Sequence, residues 1–591
     1  MFRRYPADRF GLVEAARGLR PLDLVVRNVQ LVNVLTCEIY AADIGVYQER
    51  IAVIGAAGAY DLDGRTVLDG TGKWACPGFF DAHLHIESTM VTPANYAAGV
   101  LPYGTTTAVI DPHEIGNVSG MQGVRTMIEG SEGLPLRVYI AVPSCVPSVL
   151  GHETAGAVFG PAEIAEMLTW PRVISLAEVM DYIGLAHNDP RMRGIVDAAL
   201  EEGVVVQGHA PRLVGRDLNA YIAAGVDNDH ESRLGPEILE KLRLGLLPLV
   251  KLGSHGNHLP RLMPDLLKAN HVDVALCTDD VEPADLLVNG HMDRVVRGVM
   301  QYGVEPARAI RWASYIGPQH YGLRDFGAIA PGYIADFQLL ESLEEVRTMD
   351  VFVGGRHVVA DGRLIEPIRD PLNAEDFPNS VRIGLVSADD FTIDAPVESG
   401  RVAINAIRLL PNRMTAPATI SAEVHSSRIA PEDLPGDACM LSVVPRHGQE
   451  TKPTCVPLLD LGLTSGAIAH TVAHDCHNIL VAGRFAADMH EAVKALQRMG
   501  GGFVLVDKGQ VLAEVPLPLA GLMSFEPCEV LSEAIGHFNA AARELGIDPE
   551  VATPIISMTG IALAVIPEIR ITDLHPLFDV ESQKPLELFT S

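Results

Sequence analysis

A pair of histidines at the end of an apolar run places the strongest constraint on what this chain can fold into. The run begins at Pro77 and ends in Asp81-Ala82-His83-Leu84-His85. In an extended strand alternate side chains point to the same face, so His83 and His85 project together and can bind one metal ion. Because two histidines cannot complete a metal site, the pattern predicts further ligands elsewhere in the chain.

Acidic and imidazole residues recur at the ends of short β-type runs further along the chain. An isolated His-x-His arises often by chance, whereas a series of potential ligands in the same setting favours a genuine metal centre. The recurrence therefore predicts a metal-dependent hydrolase. The six predicted metal ligands are His83, His85, Glu178, His209, His230 and Asp279.

Length and composition predict a well-packed protein of several domains. A chain of 591 residues is too long for one ordinary core, and 48% hydrophobic with 20% charged residues is typical of globular proteins. No segment approaches the apolar length needed to cross a bilayer. The first nine residues carry early positive charge without an apolar stretch or cleavage site after it, so we expect a cytoplasmic protein.

The charge balance and the cysteines narrow the possible partners. A formal net charge of −30 argues against nucleic acid, whose phosphates are bound through Lys and Arg. The eight cysteines include no Cys-x-x-Cys pair, so neither a disulfide framework nor a thiolate zinc site is indicated. We expect a small-molecule substrate, no nucleic-acid or membrane partner, and a homo-oligomer, specifically a dimer.

Eight short β-type runs alternate with helical patterns in the middle of the chain, and β-rich segments flank them on both sides. This order predicts an α/β fold in which a (β/α)8 TIM-type barrel is inserted in a small β-sandwich, followed by a C-terminal α+β domain. Catalytic groups in such barrels come from the C-terminal ends of the strands, where all six predicted ligands fall. The predicted boundaries are 1–76 and 327–370 for the sandwich, 77–326 for the barrel and 371–591 for the last domain.

Several segments resemble one known family. The run Pro77–His85 with the later predicted ligands is similar to the amidohydrolase superfamily, which contains barrel enzymes with one or two metal ions. Other segments resemble the adenine deaminase family more narrowly, including two from the C-terminal part of the chain. These are His83–Met90, Asp111–Ile115, Gly208–Pro211, Leu218–Tyr221, Asp229–Glu231, Thr471–Ile479 and Pro516–Ser524.

The resemblance implies a cofactor and a reaction. Two divalent ions, manganese first and iron second, would be held by the six predicted ligands, with Glu178 as the bridge between them. A water molecule shared by two cations loses a proton near neutral pH and supplies hydroxide. Attack of that hydroxide on C6 of adenine would release ammonia and leave hypoxanthine.

The reaction also needs proton transfers. Asp279 is the predicted acceptor of the water proton, and Glu231 and Glu87 are candidates for moving protons on the purine. Glu231 is preferred because it directly follows a ligand, although either glutamate can instead orient a histidine. His113 and Glu114, in the loop after the second strand, are predicted to close over the substrate, with an ordinary turn as the alternative.

Departures from the family pattern keep alternatives open. Residues 251–258 and 181–182 differ from the usual sequence, which favours as an alternative an amidohydrolase that deaminates another aminopurine or hydrolyses a cyclic amide. A cytidine-type zinc deaminase would need a Pro-Cys-x-x-Cys that the chain lacks, and a non-catalytic scaffold would be expected to have lost a ligand. His474, Asp475 and His477 form a polar group that would reach the active site or bind a third ion; with no third ligand nearby in the sequence, a hydrogen-bonded turn is the favoured interpretation.

Overall fold

One large β-sheet joins the chain before the barrel to the chain after it. The computed structural model describes residues 8–269, 272–410, 414–547 and 558–589, so most of the N-terminal segment considered for export lies outside the described residues. A short helix, Arg9–Ala16, precedes the sheet. Its nine strands are Leu22–Asn33, Glu38–Tyr47, Arg50–Ala56, Gly64–Asp69, Trp74–Pro77, Phe337–Ser342, Arg347–Val353, Arg356–Ala360 and Arg363–Leu364.

The strands of the two flanks are hydrogen-bonded to each other. Phe337–Ser342 runs antiparallel to Trp74–Pro77, with Phe337 opposite Pro77 and Leu340 opposite Trp74. The chain therefore leaves this sheet at Pro77, forms the whole barrel, and returns to the neighbouring position in the same sheet.

Eight parallel strands form the predicted barrel. Each pairs with its neighbour, and the fifth and sixth are joined through Asp227, which donates its N–H to the carbonyl of Val206 and accepts the N–H of the same residue. Asp279–Asp280, which continue the eighth strand, pair with Leu84 and His85 of the first and close the circle. Strands β1 to β8 are Phe79–His85, Thr105–Ile110, Arg137–Val142, Val173–Val179, Val205–Gly208, Asn228–Asp229, Leu247–Lys251 and Ala275–Cys277.

Helices between the strands begin and end at strong local signals. The helix Pro190–Glu202, the second one after β4, has Asp189 as its N-cap and Pro190 as its first residue. Its C-cap is Gly203, whose φ of 67° suits glycine. The helices of the barrel are Pro93–Val100, His113–Gly130, Pro161–Leu168, Tyr182–Ala186, Pro190–Glu202, Gly215–Ala223, Gly235–Arg243, Leu259–Leu266, Pro283–Asn289, Met292–Met300, Pro306–Arg311 and Gly317–His320.

A sheet-rich C-terminal domain covers the mouth of the barrel. Its strands are Gly400–Leu409, Thr415–Val424, Cys439–Val444, Thr454–Leu459, Ala467–His470, Ile479–Gly483, Gly502–Asp507 and Gln510–Pro516, with helices Ala486–Met499 and Cys528–Glu544. The domain contacts the barrel through backbone, since Ser524 donates its N–H to the carbonyl of Met90 at 2.8 Å. Asn478 donates to the carbonyl of Thr154 at 2.9 Å, which holds the turn 471–478 over the strand ends.

Within the described ranges, no helix combines the length and apolar character required to cross a membrane.

A candidate metal centre at the carboxyl ends of the barrel strands

Hydrogen bonds at Nδ1 hold both histidines of β1 in the tautomer whose Nε2 can bind a metal ion. His83 Nδ1 lies 2.8 Å from Oε1 of Gln207, whose amide nitrogen donates to Ser175. His85 Nδ1 lies 3.0 Å from the carbonyl oxygen of Asp111. Because these oxygens only accept hydrogen bonds, each Nδ1 carries the proton and each Nε2 presents a lone pair. Such outer hydrogen bonds are typical of metal-binding histidines.

The Nε2 atoms of His83 and His85 converge on two carboxylates. They lie 3.6 and 3.4 Å from Oδ1 of Asp279, and His85 Nε2 lies 3.5 Å from Oε1 of Glu178. Asp279 follows Thr278, whose N–H and hydroxyl both donate to the buried carboxylate of Asp81. That anchor fixes the end of β8 beside the end of β1.

A second group of ligands shares Glu178 with the first. His209 Nδ1 lies 2.5 Å and His230 Nε2 lies 3.0 Å from Oε2 of Glu178. Glu178 therefore turns one oxygen toward each histidine group, which is the position of a bridge. All six predicted ligands thus come together at one end of the barrel.

The donor set fits a pair of divalent cations. Imidazole nitrogens and carboxylate oxygens are ligands that transition-metal ions and zinc accept. His83 Nε2 and His209 Nε2 are buried without a hydrogen-bond partner among the described residues, and such atoms are rare in folded proteins unless something binds them. Burial would raise the pKa of Glu178, but the charges of His209 and His230 hold it well below its ordinary value. The carboxylate is therefore ionised, as a metal ligand must be.

Glu231, Lys251 and Asp279 form a row of charges along one wall of the cavity. Lys251 donates to Glu231 and, at 2.8 Å, to Oδ2 of Asp279, while Arg233 donates to Oε1 of Glu231 at 2.7 Å. Burial would raise the pKa of Glu231, but the Lys251 and Arg233 charges hold it well below its ordinary value. Two of the three predicted proton-transfer residues, Glu231 and Asp279, are therefore joined through Lys251 on the same wall of the cavity.

Glu87 occupies a different position from the other two. It is fully buried, its Oε1 accepts the N–H of Ile115 at 3.3 Å, and burial together with the nearby Glu114 raises its pKa to about 8. Among the described residues it is not part of the cavity wall, whereas Glu231 and Asp279 are. The structure thus places Glu87 behind the loop that carries His113 and Glu114.

The predicted substrate loop does reach the cavity. His113 Nδ1 lies 3.6 Å from Oε1 of Glu178, and Glu114 follows it at the start of the helix His113–Gly130. Both residues line a cavity of about 640 Å³ that also contains Glu178 and Asp279.

The turn 471–478 of the C-terminal domain also reaches this cavity. His474 and Asp475 line it, with His474 Nδ1 3.1 Å from Oε1 of Glu114. His477 Nδ1 instead accepts the N–H of Ala473 at 3.2 Å, so its Nε2 carries the proton that faces Glu114. Although Glu114, His474 and His477 are close enough to surround an ion, this form of His477 donates hydrogen bonds and does not ligate. His477 makes a hydrogen bond within the turn, as the favoured interpretation of this segment predicts. His474 and Asp475 line the cavity, which that interpretation does not predict.

A buried lysine ties the loops of the second ligand group together, and sequence reasoning missed it. Lys241 has no exposed surface and donates to the carbonyl of Ala210 at 2.8 Å, to Asp229 at 2.7 Å and to Glu237 at 2.9 Å. Asp229 accepts the N–H of Ala210 through its other oxygen. Because Ala210 follows His209 and Asp229 precedes His230, the network sets the spacing of these two ligands.

The departures from the family pattern have separate structural roles. Lys251, the first residue of the departing stretch 251–258, bridges Glu231 and Asp279 on the cavity wall. Asp181 caps the helix Tyr182–Ala186 by accepting the N–H of Gly184 at 2.8 Å. The change at 251 therefore alters the site, and the change at 181 alters a helix start.

Histidine and carboxylate ligands that converge at the carboxyl ends of eight parallel strands define a metal-dependent hydrolase of the barrel type. Residues 74–358 match the Amidohydrolase family and residues 412–584 match the Adenine deaminase C-terminal domain. The chain is 38% identical over 579 residues to "Adenine deaminase" of Desulfatibacillum aliphaticivorans, covering 98% of this chain and 99% of that one. It is 41% identical over 550 residues to "Adenine deaminase 2" of Rhizobium meliloti (strain 1021), covering 91% and 90%. The chain belongs to the adenine deaminase family of the amidohydrolase superfamily.

Proposed function

We propose that this protein is an adenine deaminase, a hydrolase that acts on a cyclic amidine C–N bond and converts adenine and water to hypoxanthine and ammonia. The observation that carries the proposal is the convergence of the six predicted ligands at one end of the barrel, in a chain that is similar to adenine deaminases over nearly its whole length. The match at the C-terminal domain matters as well, because that domain supplies part of the cavity wall.

We propose two divalent cations at the centre, manganese first and iron as the alternative. His83, His85, Glu178 and Asp279 would hold one, and Glu178, His209 and His230 would hold the other. Such cations, when bound, lower the pKa of water toward neutrality and make hydroxide available for attack at C6 of adenine.

The residues of the chain handle the protons. Formation of the C6–O bond requires a proton at the ring nitrogen N1, and cleavage of the C6–N bond requires a proton on the departing ammonia. Asp279 and Glu231 lie on either side of Lys251 and line the cavity, which supports them as the groups that would accept and return these protons. Apolar Met180, Leu563 and Ile566 also line the cavity and would shield part of a bound base from water.

A second candidate keeps the chemistry and changes the substrate. Another aminopurine or a cyclic amide would use the same ligands, and Lys251 on the cavity wall is the observation that favours it. A protonated lysine donates hydrogen bonds and would suit a substrate with an additional acceptor, such as a ring oxygen.

One set of assays separates these candidates. The protein purified with manganese would be analysed for metal content and for ammonia release from adenine, guanine and adenosine, beside hydrolysis of a cyclic amide. Rapid release from adenine alone is the expected result, and chelation should abolish it until manganese is restored. A metal-loaded protein that leaves adenine intact and acts on one of the other compounds would overturn the proposal.

We also propose a cytoplasmic location. All eight cysteines are unpaired and seven of them are buried, which suits a reducing compartment. Fluorescence of a tagged chain in its host would test this location. A homodimer stays a prediction, which sedimentation velocity would test.

A further inference from the structure

A buried carboxylate of the C-terminal domain lines the cavity and has one oxygen without a hydrogen-bond partner among the described residues. Asp475 is only 2% exposed and lines the same cavity as Glu178 and Asp279. Its Oδ2 has no hydrogen-bond partner among the described residues. An unsatisfied buried carboxylate oxygen costs free energy, so a donor on a bound ligand is its natural complement.

Asp475 lies across one imidazole ring from the bridging carboxylate. Its Oδ1 is 3.5 Å from Nε2 of His113, and Nδ1 of the same ring is 3.6 Å from Oε1 of Glu178. A flat bicyclic base with its reacting carbon at the metal ligands would extend its second ring along His113 toward Asp475.

The neighbouring Glu114 has one of its two oxygens engaged by residues of the protein. His474 Nδ1 lies 3.1 Å from its Oε1, and the protonated Nε2 of His477 lies 3.9 Å from its Oε2. Within the part of the chain that the structure describes, the carboxylate of Asp475 is approached only by Nε2 of His113, at 3.5 Å. Each of these two carboxylates therefore keeps one oxygen without a hydrogen-bond partner among the described residues, but the protonated Nε2 of His477 already faces that oxygen of Glu114.

The turn that carries Asp475 is fixed before any ligand arrives. His474 donates its N–H to the carbonyl of Thr559 at 2.9 Å, and Asn478 is held by the barrel through Thr154. The buried Arg446 donates to the carbonyl of His477 and, through its backbone N–H, to Asn478 at 3.1 Å. A preorganised acceptor loses little entropy on binding and discriminates strongly between ligands.

We propose that Asp475 accepts a hydrogen bond from the ring N–H of the five-membered ring of a free purine base, and thereby selects free bases over N9-substituted purines. The inference rests on the proposed function and specifies its substrate class. A nucleoside carries a carbon substituent at N9 in place of the proton, so it would leave the carboxylate unpaired and crowd it. Sites built to hydrogen-bond one group reject analogues that lack it by far more than a hydrophobic pocket does.

The test compares adenine with 9-methyladenine, which has no ring N–H. Manganese-loaded wild type and Asp475→Ala would be assayed for kcat/KM on both compounds, with metal content measured in parallel. We expect Asp475→Ala to lower kcat/KM for adenine about 10- to 100-fold, as loss of a charge-assisted hydrogen bond does, with 9-methyladenine unchanged or faster and the metal retained.

Matched variants keep the test independent of folding. Asp573→Ala removes another buried carboxylate of the same domain, one that accepts the N–H of Thr154 at 2.9 Å, and should leave the adenine to 9-methyladenine ratio unchanged. Asp475→Asn keeps the shape of the side chain and should shift the ratio in the same direction as alanine, by a smaller factor. If circular dichroism shows that Asp475→Ala is unfolded, Asp475→Asn alone tests the role of Asp475.

The outcomes separate the two proposals. A wild type that fails on adenine while loaded with metal overturns the proposed function. A wild type that deaminates adenine, together with Asp475 variants that keep its discrimination against 9-methyladenine, overturns the role of Asp475 and leaves the deaminase activity intact.

Discussion

The two faces of the cavity are built in different ways. On the barrel face, the ligands follow strand ends and are oriented by groups within the barrel, as Gln207 orients His83 and Asp81 anchors the end of β8. On the face from the C-terminal domain, His474 and Asp475 come from a turn, and Leu563 from a short irregular segment. The proposed metal ligands therefore belong to the barrel, and the proposed recognition group Asp475 belongs to the covering domain.

The barrel face should be the more sensitive of the two to a single substitution. Asp279→Asn removes a charged ligand that lies near both β1 histidines, so we expect poor metal binding and no turnover above background. Metal analysis and ammonia release measure both effects. Asp265→Asn, at a pair with the exposed Lys268, is the control and should retain metal; normal activity in Asp279→Asn would remove that residue from the mechanism.

Glu231 should matter for the rate and not for the metal. Glu231→Gln keeps the size of the side chain and removes its charge between Arg233 and Lys251, so we expect kcat to fall about 10²- to 10⁴-fold, as loss of a general acid or base does. Metal content should stay at the wild-type value. Full deamination by this variant would reduce Glu231 to a supporting partner of the ligand beside it.

Lys241 should act on the second ligand group from a distance. Lys241→Met leaves Asp229 and Glu237 buried without their cation, so we expect metal affinity to fall about 10- to 100-fold. Lys241→Arg should recover part of the loss. Lys268→Met, at an exposed pair with Asp265, is the control and should bind metal normally. Equal metal affinity in all three variants would contradict the positioning role.

The covering domain should influence substrate binding more than the chemical step. Leu563→Ala shortens an apolar side chain on the cavity wall, and we expect KM for adenine to rise about 10-fold with kcat nearly constant, since a few buried methylene groups contribute about 1–3 kcal/mol. Steady-state kinetics measure the two constants separately. A fall in kcat with constant KM would mean that this face also supports the reaction.

The free energy of unfolding should depend weakly on pH through Glu153, which precedes the Thr154 that contacts the C-terminal domain. Burial raises the pKa of Glu153, which accepts the N–H of Val149 at 3.0 Å, to about 7. Because this pKa lies above that of the unfolded chain, the stabilising contribution is full below about pH 4.5 and is lost as the pH rises through about 7. Glu153→Gln should therefore reduce the loss of unfolding free energy over that range by about 1–3 kcal/mol. Denaturation with urea at pH 5 and pH 8 measures it, and identical pH profiles would contradict it.

The sequence predicts the barrel face well because parallel strands bring their carboxyl ends to one rim, so a ligand at each strand end implies a site. The position of Glu87 was harder to predict. Alternation along β1 would have placed it with His83 and His85, but the strand ends at His85 and a 3₁₀ turn over Ile86–Thr89 directs Glu87 behind the loop.

No periodic pattern in the sequence predicts the cavity wall from the C-terminal domain or the hydrogen-bond network of Lys241. The partner of His474 is Glu114, which lies in another domain and far away in the chain, so local spacing contained no hint of the contact. Lys241 lies on a helix, where a lysine usually faces solvent. Only the folded chain shows that this one points inward to two carboxylates.

The way the barrel interrupts the large sheet bears on synthesis of the chain at the ribosome. Trp74–Pro77 pairs on one side with Leu22–Asn33, and its other side is completed only by Phe337–Ser342. Since synthesis proceeds from the N-terminus, the nascent sheet keeps an open edge while the entire barrel is being made. An open strand edge can pair with other chains, so this edge stays exposed to such pairing until folding of the barrel brings Phe337–Ser342 beside Trp74–Pro77.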